Sequence, residues 1–157
     1  MKRIAIFADV QNIYYTTRQA FGRQFDYQSF WERVSVTGEI VAAMAYAIDR
    51  GDYKQRKFQD ALRNIGFNVK LKPFIQRRDG SAKGDWDVGI AIDVMEAARD
   101  VDTVILLSGD GDFDLLLSKV RTDHHVGAEV YSVPALTASS LIAAASTWHP
   151  IDETLLL

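Results

Sequence analysis

Two apolar runs end abruptly in acid, and they constrain the fold more than any other feature of the chain. Ile4–Ala8 stops at Asp9, and Thr103–Leu107 stops at Ser108-Gly109-Asp110. Neither run alternates polar with apolar. A strand without alternation is apolar on both faces, which suits the interior of a parallel sheet covered on both sides. The segments between the runs fit that frame. Asn12–Gly22, Gln28–Val34, Tyr53–Ile65, Trp86–Arg99, Phe113–Thr122 and Ser139–Ala145 read as helices. Ile40–Ile48, Asn68–Phe74 and Ala128–Val133 read as strands, and Ile151 as the start of a short last one. Strand–helix alternation of this kind predicts an α/β three-layer sandwich, a mostly parallel central sheet with helices on both faces. No linker or repeat divides residues 1–157, so one domain is expected.

Some local details are also expected. Phe58, Leu62 and Ile65 should form the buried face of the helix over 53–65, with Gly66 as its C-cap. In the next strand, Val69 and Leu71 should point inward and Lys70 and Lys72 outward. Val88, Ala91, Ile92 and Met95 follow the i, i+3, i+4, i+7 pattern of a core-facing stripe.

Several chemistries drop out. The chain has no cysteine, so thiolate metal sites are excluded. His124, His125 and His149 have no HExxH spacing. No phosphate-binding G-x-x-x-x-G-K-[ST] or dinucleotide G-x-G-x-x-G occurs. Asp110-x-Asp112-x-Asp114 starts like a calcium-binding EF-hand loop. However, Leu115 stands where glycine is needed and Arg121 where the closing glutamate should be. A dehalogenase-like phosphatase would need Asp-x-Asp at the first strand end, and Asp9-Val10-Gln11 lacks it. The only apolar run near the start is too short for a membrane span, so a cytoplasmic protein without membrane association is expected.

What remains is acid at strand ends. In parallel α/β sheets, ligands sit beyond the carboxyl ends of the strands where strand order reverses. Asp9, Asp110 and Asp112 occupy such ends, and Asp87 stands in the first turn of a helix. Clustered carboxylates repel unless one is protonated or a cation intervenes. Mg²⁺ or Mn²⁺ is the expected cation, because a hard ion takes several oxygen ligands. Gly109 and Gly111 are expected to allow a sharp turn and close approach of phosphate. Each acid also has a plainer explanation: Asp110 and Asp112 suit a helix cap, and Asp87 suits a first-turn charge. Asp9 is the hardest to explain as a generic turn. Asp93 lies about 120° round its helix from Asp87, and it ranks behind the others with Asp114.

Charge is uneven. Arg50–Lys83 holds ten Lys/Arg against three acids, while the whole chain carries −3. That segment could face a polyanion, or Lys54, Arg56, Lys57 and Arg63 could be an ordinary solvated helix face.

With these residues in place, the chain resembles the NYN domains of the PIN-like nuclease superfamily, in particular the LabA-like group. Asp9-x-x-Asn12 follows an apolar first strand. Lys83-x-x-x-Asp87-Val88 opens a helix reaching Asp93, and Ser108-Gly109-Asp110-Gly111-Asp112-Phe113 follows a buried strand. The resemblance implies a five- or six-stranded parallel sheet with its first and fourth strands central. It also implies an acidic Mg²⁺ or Mn²⁺ pocket and metal-dependent hydrolysis of phosphodiesters in RNA. By position Asp9, Asp87, Asp110 and Asp112 look like the metal-binding and catalytic acids, with Asn12 and Ser108 as supporting polar groups.

For substrate binding, Lys83, with Arg77 and Arg78 on the polar loop, is expected to guide the phosphate backbone, Ser108 to add a polar group and Trp86 a stacking surface, while Arg77 and Arg78 could equally belong to a plain solvated loop. Trp86 replaces the small apolar residue usual in the family, and Ser146 replaces an acid in a C-terminal helix. Tyr14 and Tyr15 could stack on bases as well, with packing in the core as the favoured reading. RNA is the expected partner, and a homodimer is left open. The alternative is a regulatory module that binds nucleic acid or protein with a vestigial acidic site. A phosphatase for small substrates is a weaker third reading.

Overall fold

The computed structural model describes residues 1–73, 75–76, 82–83 and 85–157. Three acids start the first three helices. Asp9 caps α1 (Val10–Phe21), Asp26 caps α2 (Tyr27–Ser35) and Asp52 caps α3 (Tyr53–Ile65), each accepting a hydrogen bond from a first-turn N–H. Such caps satisfy donors that the helix itself leaves unpaired. Gly22 closes α1 with a left-handed φ of 66°, a conformation that glycine adopts without a Cβ clash. The remaining helices are α4 (Asp87–Ala97), α5 (Asp114–His124) and α6 (Ser139–Ala144).

The strands are β1 (Arg3–Asp9), β2 (Glu39–Asp49), β3 (Asn68–Pro73), β4 (Ile75–Gln76), β5 (Ala82–Lys83), β6 (Thr103–Leu107), β7 (Gly127–Ser132) and β8 (Thr147–Pro150). β4 and β5 pair antiparallel as a separate hairpin. The other six form one parallel sheet in the order β3-β2-β1-β6-β7-β8. Its central pair, β1 and β6, are the first and fourth strands of that sheet, as the resemblance implies. The last strand begins at Thr147 rather than Ile151, which lies buried just beyond β8.

Side-chain alternation along β1 divides the core. Ile4, Ile6 and Ala8 face α1, α2 and α3, where they meet Ile13, Phe30 and Leu62. Ala5 and Phe7 face α4, α5 and α6, where they meet Ile90, Val94, Leu117 and Leu141. The result is the three-layer sandwich that strand–helix alternation predicts. Among the described residues, no helix is long and apolar enough to cross a membrane.

Three local expectations change. Leu62 is buried and Gly66 ends α3, but Phe58 stays 37% exposed. Helix α4 turns a different face inward: Ile90 and Val94 are buried, while Val88 is 71% and Ile92 60% exposed. The helix is apolar nearly all round, so periodicity alone does not select a face. Lys70 and Lys72 do not point to open solvent either. Lys70 pairs with Asp93 of α4 at 2.6 Å, and the Lys72 ammonium lies 4.4 Å from the Trp86 ring centre. Asp93 also accepts from the buried Tyr46 hydroxyl at 2.7 Å. These polar bonds from the sheet set the rotation of α4, and they fix where Asp87 points.

Phe30 is fully buried against Phe25 and Tyr131. Phe30→Ala is expected to destabilise the fold by about 3–5 kcal/mol, read from the midpoint of urea unfolding.

Candidate metal centre

The central strands β1 and β6 end side by side, with Ala8 opposite Leu107. The residues after each strand are therefore neighbours although about a hundred positions apart. Asp9 Oδ1 accepts from the Asn12 N–H at 3.4 Å, and Asp9 Oδ2 accepts from the Ser108 hydroxyl at 3.2 Å. Ser108 Oγ in turn accepts from the Asp110 N–H at 3.2 Å. The Asn12 side-chain oxygen accepts from the Gly109 N–H at 3.0 Å. Residues from two strand ends thus hold one another in register.

Next to this knot, carboxylate oxygens of Asp87, Asp110 and Asp112 lie within 4.8 Å of one another. Asp110 Oδ1 accepts from the Asp112 N–H at 2.9 Å, which shapes the 3₁₀ turn Gly111–Phe113. Asp87 arrives from the other side, at the start of α4. Its N–H is held by Asp85 Oδ1 at 3.2 Å.

The electrostatics match the crowding. Burial pushes the Asp87 carboxyl up to about 7, with the charges of Asp110, Asp85, Asp9 and Asp112 adding to the effect. Burial likewise raises Asp9 to about 6. The Asn12 and Ser108 hydrogen bonds oppose that rise, while Asp110 and Asp85 reinforce it. An all-carboxylate donor set this close fits a hard divalent cation, which ligates several oxygens and cancels their repulsion. Asp87, Asp110 and Asp112 could hold the ion, with Asp9 beside them.

The other expected site residues divide. Asp9 is both a helix cap and a member of the acidic group, so the two readings of an acid are not exclusive. Ser108 is fully buried with its hydroxyl between Asp9 and Asp110, so it positions those acids and does not reach a substrate. Asn12 is likewise engaged by Gly109 and supports the knot rather than the chemistry. Trp86 is not a free stacking surface. Its indole N–H donates to the Ala47 carbonyl at 2.8 Å, its ring packs on Tyr46, and Lys72 covers it. Lys83 is placed by its backbone in β5, two residues before Asp85, whereas Arg77 and Arg78 lie outside the described residues.

Ser146 follows α6, outside any helix, and its hydroxyl donates to the Ala128 carbonyl. Gly109 and Gly111 have ordinary φ angles. A Cβ on Gly109 would lie 2.8 Å from the Leu136 carbonyl oxygen, and one on Gly111 would lie 2.8 Å from the Ala138 Cβ. They are small because the Leu136–Ala138 segment packs on them. Tyr14 and Tyr15 are 42% and 51% exposed, outside the core. Asp85 is a member of the acidic group that sequence reasoning does not single out. Its only local signal is its place two residues before Asp87.

Residues 3–152 match the family model of the NYN domain. The low amplitude and bright protein LabA of Synechococcus elongatus is 33% identical over 129 residues, spanning 76% of this chain and 68% of that protein. A solved structure of a protein of unknown function from Vibrio parahaemolyticus is 53% identical. The match covers 99% of this chain and 96% of that one, with a TM-score of 0.95.

The raised carboxyls give a pH test. Asp9 and Asp87 bind protons more tightly in the folded chain than at the ordinary value of 3.8. Their contribution to stability is therefore most favourable below 3.8. It falls as pH rises through the window up to about 6 for Asp9 and about 7 for Asp87. In chelator, the wild-type melting temperature is expected to drop more steeply across that window than that of Asp87→Asn. Parallel curves would contradict the coupling.

Proposed function

Because the chain belongs to the NYN domain family, we propose that it is a metal-dependent ribonuclease hydrolysing phosphodiester bonds at this acidic centre. NYN domains are part of the PIN-like nuclease superfamily. The observation that carries the reading is the meeting of Asp87, Asp110 and Asp112 within 4.8 Å at the end of the central strands. Their oxygens are hard donors, suited to Mg²⁺ or Mn²⁺. Such a cation, when bound, supplies charge neutralisation at the scissile phosphate and acidifies water into a nucleophile.

The chain's own residues do the rest. Asp87, Asp110 and Asp112 would hold the ion. Asp9, beside that trio and held by the Asn12 N–H and the Ser108 hydroxyl, would complete the acidic wall of the site. Ser108 and Asn12 keep Asp9 and the Ser108–Asp110 turn aligned. The Lys70–Asp93–Tyr46 bonds keep α4, and with it Asp87, at the correct rotation. Lys83, close in sequence to the centre, and Arg77 and Arg78 in the same basic segment, attract the phosphate backbone.

The test is cleavage of labelled single-stranded RNA with Mg²⁺ or Mn²⁺. Asp87→Asn and Asp110→Asn are expected to lower the rate by about 100-fold or more. Ser108→Ala should lower it by about 10–100-fold, the usual effect of removing a partner that orients a metal ligand. Chelation should abolish cleavage and added metal restore it. Equal rates in wild type and all three variants would refute the assignment. Tight, salt-dependent RNA binding that survives chelation without any cleavage would instead identify a binding module.

A further inference from the structure

A groove of about 520 Å³ opens between α1 and α3, beyond the end of β2. That volume is typical of a small-molecule site. Val10 and Gln11, directly after Asp9, form part of its wall, so the groove begins where the acidic centre ends. Ile13, Tyr27 and Phe58 line its apolar side.

Two polar groups in it have no hydrogen-bonding partner among the described residues: the Gln59 amide and the hydroxyl of Tyr27, whose ring packs on Phe25, Phe58 and Phe67. Gln59 is 5% exposed and Tyr27 6% exposed, and both line the groove. Neither makes a side-chain hydrogen bond among the described residues. No side-chain polar atom of those residues is both sealed from solvent and without a partner, so these two groups open onto the groove. An amide and a hydroxyl without a partner among the described residues, opening onto one cavity, can bond a ligand that presents a hydrogen-bonding edge. The Asp9 charge raises the Tyr27 hydroxyl pKa further after burial, which places that hydroxyl within electrostatic reach of the acidic centre.

The rest of the lining narrows the ligand class. The exposed rings of Tyr14 and Tyr15 flank the groove, and its charged lining is Arg50, Lys54 and Asp52, a balance of one positive charge. Aromatic faces, cations and an unpartnered amide are what single-stranded nucleic-acid binders present to stacked bases, phosphates and base edges respectively.

We propose that this groove is a nucleobase subsite for the RNA strand, with Gln59 and Tyr27 bonding the base edge and Tyr15 offering a stacking face. The proposal rests on the ribonuclease reading for the identity of the strand, but it is measured by binding alone.

The experiment is fluorescence anisotropy of labelled short homopolymers of rA, rC, rG and rU with the full chain, in chelator and at fixed salt. Wild type should prefer one base. Gln59→Leu and Tyr27→Phe should each weaken the preferred homopolymer by about 5–100-fold and level the preference. Tyr15→Ala, at a 51% exposed position that does not threaten folding, should weaken all four homopolymers alike by a similar factor. Unchanged affinity and preference in all three variants would overturn the subsite, as would a wild type that binds no homopolymer. If wild type cuts RNA while those variants bind unchanged, the subsite alone fails. If binding depends on Gln59 but nothing is cut, the subsite stands and the hydrolytic reading fails.

Discussion

The Ser108 hydroxyl donating to Asp9 joins the ends of the two central strands, and the arrangement of the site depends on that bond. Asp9 and Ser108 are 99 residues apart in sequence. The sheet brings them together only because β1 pairs with β6 in parallel and in a register that ends both strands at the same level. Strand order reverses at this pair: β2 and β3 extend to one side of it, β7 and β8 to the other. The helices connecting these strands leave on opposite faces, so a crevice opens at the reversal. The Asp9 and Asp110 carboxyls lie at that crevice because Asp9 ends β1 and caps α1, while Asp110 caps the 3₁₀ turn beyond β6.

Concentrating acids in a crevice is unfavourable in isolation. The charges of Asp85 and Asp110 raise the proton affinity of both Asp9 and Asp87, and burial is the larger cause in each case. Hydrogen bonds within the knot relieve Asp9 but not Asp87. The ion pair on the α4 side, Lys70 with Asp93, is committed to holding the helix. Electrostatic crowding of this kind persists in folded chains mainly at functional sites, where a ligand removes it. This is why the acidic group supports metal binding more directly than it supports any particular reaction.

Much of this architecture was legible in the sequence because it rests on strong local signals. Unalternating apolar runs marked buried parallel strands, and the acids after them marked the strand ends. Most of the failures concern which way a side chain points once tertiary contacts choose. Helix α4 is apolar at 88, 90, 91, 92, 94 and 95, so several faces satisfy a helical period. Asp93, bonded to Tyr46 and Lys70 across the sheet, selected one of them. The same packing sets the Trp86 ring against Tyr46 and its indole N–H on the Ala47 carbonyl. Gly109 and Gly111 resembled a flexible phosphate loop, yet their smallness answers to the Leu136–Ala138 segment. No local pattern announces that contact.

Tyr14 and Tyr15 show the opposite error and its consequence. A pair of adjacent aromatics in a helix invites a core reading, but adjacent residues on a helix point about 100° apart. The core face of α1 is already filled by Val10, Ile13 and Thr17. The tyrosines are thereby left at the surface. They share the groove with α3, the helix that carries Lys54, Arg56, Lys57 and Arg63. An acidic crevice at β1 and β6 therefore lies beside an aromatic groove that carries Arg50, Lys54 and Asp52, with α1 between them. On the proposed reading, binding and chemistry are separable in this fold: the groove would hold a strand without metal, and a cation would be needed to bring its phosphate into the acidic crevice.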